Sequence, residues 1–252
     1  MRAVAVSPHL DDAVFSAGAT LAALAAAGWE VVVVTCFTAS VPDPPPFALS
    51  TQLDKGLDAS VDYLALRRDE DAAACAVLGA APVHLPLPEA PHRGYTSAPD
   101  LFAGVHDDDG VRGPLAAALA PHLDAADLVL APQGIGDHAD HRVVVDVVAR
   151  LAPGAAWWRD APYVLRRPDA RPWSPPGEPR AVDVARHLDA KIAAARCYTT
   201  QLGFQFGGPE QVGPVLRELA AAEAGPGPGG CAEVFTVPRC SAAVPGAVAL
   251  LP

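Results

Sequence analysis

Residues 2–37 read RAVAVSPHLDDAVFSAGATLAALAAAGWEVVVVTCF, and the fold follows from two changes of period in this stretch. Ala3-Val4-Ala5-Val6 is a short apolar run that stops at Ser7-Pro8, as a buried strand does. From Asp12 onward Val14, Ala17, Leu21, Leu24 and Ala25 recur at helical spacing, and Gly28 closes the run. Val31-Val32-Val33-Val34 is continuous and β-branched, the mark of a strand covered on both faces. Strand, helix and strand in so short a stretch make a βαβ unit, which predicts a parallel sheet with a right-handed crossover.

The same alternation continues outward. Residues 40–58, with Pro42, Pro44, Pro45 and Pro46, read as a long loop. Helical periodicity returns over 61–78 and ends at Gly79; 82–87 read as a third strand and 88–110 as a second loop region. A helix over 111–123, a strand over 127–131, a helix over 138–151 and a strand over 155–158 follow. Beyond them lie a proline-rich stretch at 171–178, a strand at 182–184, helices over 185–202 and 209–222, a flexible Gly/Pro connection at 225–230 and a closing strand at 233–237. This order predicts an α/β fold, Rossmann-like and doubly wound, with a mostly parallel sheet and helices on both faces. One domain is expected over residues 1–252, with a core of about 1–160 and a C-terminal elaboration of about 161–252.

Composition excludes several classes of function. Half the residues are apolar, yet no run reaches the ~20 apolar residues of a membrane helix, and no anchor is expected. The formal charge is -11, with basic residues scattered, the reverse of what phosphate contacts to nucleic acid require. No secretory leader is visible, and the five cysteines are odd in number, scattered and without CxxC spacing. A reducing, cytoplasmic location is expected. No coiled-coil heptad speaks to assembly, and a homo-oligomer remains open.

Chemistry is concentrated in two clusters. Ser7-Pro8-His9-Leu10-Asp11-Asp12 follows the first strand, and Gly136-Asp137-His138-Ala139-Asp140-His141 follows the strand at 127–131. Either motif alone reads as structural, because Asp after a strand is a common helix cap and His-x-x-His occurs on solvated helix faces. Together they sit at two carboxyl ends of one parallel sheet, where ligands collect. His9, Asp12 and His141 make a set of two imidazoles and one carboxylate that leaves a coordination position for water. Such donors favour Zn2+ and also suit Fe2+ or Co2+. Asp11, left over beside them, has the position of a general base; His138 could stabilise an oxyanion or protonate a leaving amine, and Asp140 could orient an imidazole.

At these residues the chain resembles the PIG-L/LmbE-like superfamily of zinc N-deacetylases. That family's first motif usually reads Ala/Ser-His-Pro-Asp-Asp-Glu; here Pro8, Leu10 and Ala13 replace the small residue, the proline and the glutamate. The resemblance implies zinc on His9, Asp12 and His141, Asp11 as base and His138 as electrostatic or acid partner. Arg67-Arg68-Asp69-Glu70 is similar to the family's Arg-x-x-Glu helix, which implies that Arg67, or in reserve Arg68, reaches the sugar; read without the family, it is an ordinary charged helix face. Asp160-Ala161-Pro162-Tyr163 and the helix running from Lys191 to Gln201 also resemble family segments and are assigned to architecture and the pocket rim.

The activity implied is removal of an N-acetyl group from an amino sugar or glycoconjugate, releasing acetate. An amidase acting on a thiol conjugate or another N-acyl group would use the same site, and the discriminating acyl pocket is expected between the 40–58 and 88–110 loops. A non-catalytic sugar- or metal-binding module would not need the spare carboxylate of Asp11. A nucleotide-binding module lacks its GxGxxG after the first strand.

Overall fold

The computed structural model describes residues 1–167, 169–225 and 230–238; residues 226–229, within the connection expected to be flexible, and Cys240 lie outside the described residues. Seven strands form one sheet: β1 (Arg2–Ser7), β2 (Glu30–Phe37), β3 (Ala81–Leu87), β4 (Leu128–Pro132), β5 (Ala156–Trp158), β6 (Gly177–Asp183) and β7 (Ala232–Pro238). Their spatial order is β3-β2-β1-β4-β5-β7-β6. The first five are parallel; β7 runs antiparallel to β5, and β6 antiparallel to β7. The Rossmann-like, mostly parallel arrangement expected from the first 37 residues is therefore what the chain adopts.

The helices are α1 (Asp12–Ala26), α2 (Pro46–Leu53), α3 (Tyr63–Leu78), α4 (Ala98–Leu101), α5 (Arg112–Asp124), α6 (Ala139–Leu151), α7 (Tyr163–Arg166), α8 (Leu188–Ala195), α9 (Leu202–Phe206) and α10 (Val212–Ala224). The strand period of two sorts them onto two faces. Ala3, Ala5, Val31 and Val33 point into a core shared with α1, α3, α8 and α10. Val4, Val6, Val32 and Val34 point the other way, into a core shared with α5 and α6. This double coverage explains why β1 and β2 are apolar without alternation.

Two expectations are corrected. Residues 40–58 are not all loop: α2 begins at Pro46, where a proline fits because the first helical turn leaves its N–H unused. The expected helix over 185–202 is split into α8 and α9. Glu70 of α3 accepts from Thr199 Oγ1 (2.6 Å), the Thr200 amide (2.9 Å) and Thr200 Oγ1 (2.7 Å), so these groups leave the helical ladder.

A second polar lock joins the C-terminal segment to α1. The amides of Ala19 and Thr20 donate to Glu233 at 3.1 and 2.8 Å, and Lys191 Nζ donates to the Ser16 carbonyl (3.0 Å) and to Glu233 (2.7 Å). Backbone groups in the middle of α1 thus find side-chain partners from α8 and β7. The helix held this way is the one whose first residue is Asp12.

Candidate metal centre and catalytic site

β1 turns towards α1 and β2, whereas β4 turns towards α6 and β5, so a crevice opens between the carboxyl ends of β1 and β4. His9 lies two residues past β1, and His141 lies in the first turn of α6. The structure brings His9, Asp12 and His141 together: Asp12 Oδ2 is 3.2 Å from His9 Nδ1 and 3.2 Å from His141 Nε2. The His9 amide also donates to this oxygen at 2.9 Å.

Each imidazole is fixed from behind by a carboxylate. His9 Nε2 donates to Asp140 Oδ2 at 2.9 Å, and His141 Nδ1 donates to Asp160 Oδ1 at 2.8 Å. A carboxylate only accepts, so with a metal between Asp12 and the rings each imidazole would keep its proton on the nitrogen facing Asp140 or Asp160 and offer the other to the metal. His141 Nε2 is buried and has no hydrogen-bond partner. Burial alone would lower the pKa of His141, but the charge of Asp12, 3.2 Å away, and the bond to Asp160 raise it to about 9. Surroundings that hold a positive charge there so strongly suit a divalent metal equally well. The donor set, the unpartnered nitrogen and the oriented tautomers all fit a metal ion bound by His9, Asp12 and His141.

His9, His138 and Asp140 also lie within reach of one another. Asp140 is unsuited to be a ligand, because its oxygens already accept from His9, the Ala90 amide (3.0 Å) and Arg93 Nη2 (2.7 Å). Burial alone would raise its pKa; the charge of Arg93 and the His9 bond instead hold it well below the usual carboxylate range. Asp140 thus stands behind the His9 ring at hydrogen-bond distance, tied down by Ala90 and Arg93.

Asp11 occupies the N-cap position of α1 but makes no capping hydrogen bond. Its φ of 155° is unusual for a residue with a side chain, a conformation that costs on the order of 1–3 kcal/mol. The carboxylate is buried, 3.6 Å from Arg67 Nη2. Burial pushes its pKa up to about 8, the neighbouring charge of Asp12 adds to this, and Arg67 opposes it.

His138 caps α6, its Nδ1 accepting from the Asp140 amide at 3.2 Å. In the neutral ring the proton is then on Nε2, which makes that atom a donor. Burial lowers its pKa to about 3, with the nearby charge of His9 acting in the same direction. Its ring meets the His9 ring at 5.0 Å and the half-exposed Phe102 ring at 5.4 Å.

Arg67 does not reach free space. Besides Asp11 it binds Glu89 (2.7 Å) and the Leu10 carbonyl (3.2 Å), and it is buried. Arg68 donates to the Thr38 carbonyl and to Ser40 Oγ on the far side of the same helix turn. Sequence reasoning missed Asp160 and Glu89 as parts of the site. Both carried a signal: each lies two residues past the carboxyl end of a parallel strand, as His9 does. Asp160, expected to be architectural, stands 2.8 Å behind the His141 ring.

Gly136, in the turn before α6, has a φ of 103°, and an added Cβ would sit 2.6 Å from the Tyr163 ring. Only glycine lets that ring lie against His141, at 5.2 Å. A cavity of about 290 Å3 is lined by residues of 40–52, 59–64 and 89–92, including Tyr63, Leu64 and Glu89, the last of which binds Arg67. It lies between the two segments expected to shape an acyl pocket. Among the described residues no helix is long and apolar enough to cross a membrane.

A 2'-N-acetylparomamine deacetylase of Streptomyces fradiae is 34% identical over 194 residues, which cover 74% of this chain; the chain spans 62% of the length of that curated relative. The zinc-inhibited form of a teicoplanin deacetylase superposes with a TM-score of 0.81 at 28% identity, over 94% of this chain and 97% of the other. An A40926 pseudoaglycone deacetylase gives 0.78 at 31% identity, over 94% and 96%. The model of the PIG-L family, described as GlcNAc-PI de-N-acetylase, matches residues 4–152, from β1 to the end of α6, and the chain belongs to that family.

Proposed function

We propose that this protein is a zinc-dependent N-deacetylase of a soluble amino sugar or glycoconjugate, releasing acetate and the free amine. The observation that carries the reading is Asp11: a buried carboxylate, free of any capping bond, held beside a complete three-donor metal set. A zinc ion there supplies a Lewis acid that acidifies water and polarises a carbonyl. Asp11, in its ionised form, takes the proton from the attacking water and holds it for the later step. Nε2–H of His138 donates to the oxygen on which charge develops. The proton then passes to the leaving nitrogen, collapsing the tetrahedral centre to acetate and amine.

Arg67 acts through Asp11 in this scheme. Its guanidinium, anchored by Glu89 and the Leu10 carbonyl, aims the carboxylate and does not grip the sugar. Asp140 and Asp160 hold the two ligand imidazoles in the tautomers that face the metal. The relatives named above are deacetylases of 2'-N-acetylparomamine, teicoplanin and the A40926 pseudoaglycone, which supports an N-acetylated substrate here.

The test is acetate release from a panel of N-acetylated amino sugars by purified protein, with chelator and after zinc is returned. Loss on chelation and recovery with zinc are expected. Turnover that persists after the metal is removed to background would sink the proposal.

A further inference from the structure

Phe204 is the most exposed large apolar side chain among the described residues, at 69%. A single exposed ring is ordinary on a protein surface. This one is bracketed by two cations: Arg166 lies 5.4 Å and Lys55 5.7 Å from its ring centre. Lys55 is one of only two lysines in the chain; the other, Lys191, is consumed by Glu233. Neither Lys55 nor Arg166 has a carboxylate within ion-pairing distance among the described residues, whereas Arg67, Arg93 and Arg112 each end on one.

Both cations are nevertheless pinned. Arg166 donates to the Phe204 carbonyl (3.1 Å), the Gln205 carbonyl (2.8 Å) and Gln205 Oε1 (3.0 Å), and Lys55 donates to the Thr51 carbonyl (2.8 Å). These acceptors are neutral, so the positions are set without a paired anion, although Glu89, Asp11 and Asp54 act on Lys55 from beyond ion-pairing distance. The result is a positive, aromatic spot on a chain of net charge -11.

Two lines of contact run from this spot to the reacting centre. Lys55 lies 5.3 Å from the Tyr63 ring, Tyr63 lies 5.5 Å from Arg67, and Arg67 holds Asp11. On the other side Arg166 shares α7 with Tyr163, whose ring packs against His141. The spot is therefore linked through Tyr63 and Tyr163 to residues of the reacting centre.

We infer that Phe204, Lys55 and Arg166 form an outer subsite for a carboxylate-bearing aromatic aglycone, attached to the N-acetyl sugar that enters the metal cleft. The ring stacks on the aglycone, and the two cations receive the carboxylate and repel a cationic aglycone. The inference rests on the deacetylase reading and adds to it the chemistry of the group that the enzyme recognises outside the sugar.

Three N-acetyl-β-D-glucosaminides test it in the zinc-loaded protein: the methyl, the 4-carboxyphenyl and the 4-trimethylammoniophenyl glycosides. The expected kcat/KM for the carboxyphenyl probe is roughly tenfold above the methyl one, carried by KM. Phe204→Ala and Lys55→Met each bring that ratio towards one, Phe204→Tyr keeps it, and added salt shrinks it. Zinc binding serves as the folding control for every variant. A ratio near one in the wild type, a ratio unmoved in both variants, or preference for the ammonium probe would overturn the inference. So would a dimer that Phe204→Ala splits, seen by sedimentation, since the ring would then be an interface between copies. If no probe releases acetate, the deacetylase reading fails instead. Calorimetric binding of the same three glycosides to wild type and Phe204→Ala then decides the subsite on its own, by the same ratios.

Discussion

At the middle of α1, Lys191 and Glu233 are as deeply buried as Asp12 and His141 at its N-terminal end. In the Lys191–Glu233 cluster the charge is matched and both carboxylate oxygens are used, by Ala19, Thr20 and Lys191. In the other, His141 Nε2 is left without a partner although carboxylates stand on both sides of the ring. Other buried atoms lack partners too, among them Trp157 Nε1. What distinguishes His141 is that its free nitrogen converges with two further donors whose orientation is fixed from behind. A buried polar cluster that closes on itself is architecture; one that is oriented but incomplete is built for a ligand.

The largest expected effect lies at the open cluster. Asp11→Asn should lower kcat by roughly 10²–10⁴-fold while zinc still binds; full activity in this variant would remove the base from the scheme. The closed cluster should respond in stability. Lys191→Met leaves Glu233 buried and unpaired, and denaturant unfolding should show a loss of about 3–5 kcal/mol. Replacing both partners, Lys191→Met with Glu233→Leu, should cost less, because no unpaired charge is then left buried. An equal loss in the double variant would mean that the pair is not acting as a unit.

A smaller effect separates the clusters by ligand. Asp160→Ala frees the His141 ring, and competition with a chromophoric chelator should show roughly 10- to 100-fold weaker zinc binding. Folded Lys191→Met protein should bind zinc as the wild type does. Weakening in both would erase the distinction drawn between the clusters.

The smallest effect is in pH dependence. Burial alone would raise Asp109, but its bonds to Arg93 outweigh this and hold its carboxyl below the usual range. Its folded pKa lies below the unfolded one, so its contribution to stability is present above pH ~4 and is lost as pH falls through the folded value. Asp140 has the same sign and shares Arg93. Arg93→Met should therefore move acid unfolding, followed by circular dichroism, to higher pH. An unchanged acid midpoint would show that this guanidinium does not hold the two carboxylates down.

Much of the fold was legible because burial on both faces leaves a continuous apolar run, as in Val31–Val34, and because Gly79 marks a helix end through its left-handed φ of 72°. Proline misled at 46, where the signal for a break is also the signal for a helix start. The helix over 185–202 was misjudged because its interruption comes from Glu70, more than a hundred residues away. In the site, the convergence of His9, Asp12 and His141 was legible since these residues follow strand ends within short motifs. Arg67 was misplaced because a helix-face arginine looks the same in sequence whether it meets solvent or Asp11.

The sequence by itself determined the alternation of strands and helices, the parallel sheet and the residue types gathered at its carboxyl ends, since periodicity and turn chemistry act locally. Only the tertiary structure decided which carboxylate orients which histidine, that Asp11 is spared from capping and that Arg67 is spent on it. Those outcomes depend on distances between segments as far apart as His9 and Asp140, and no local pattern encodes such distances.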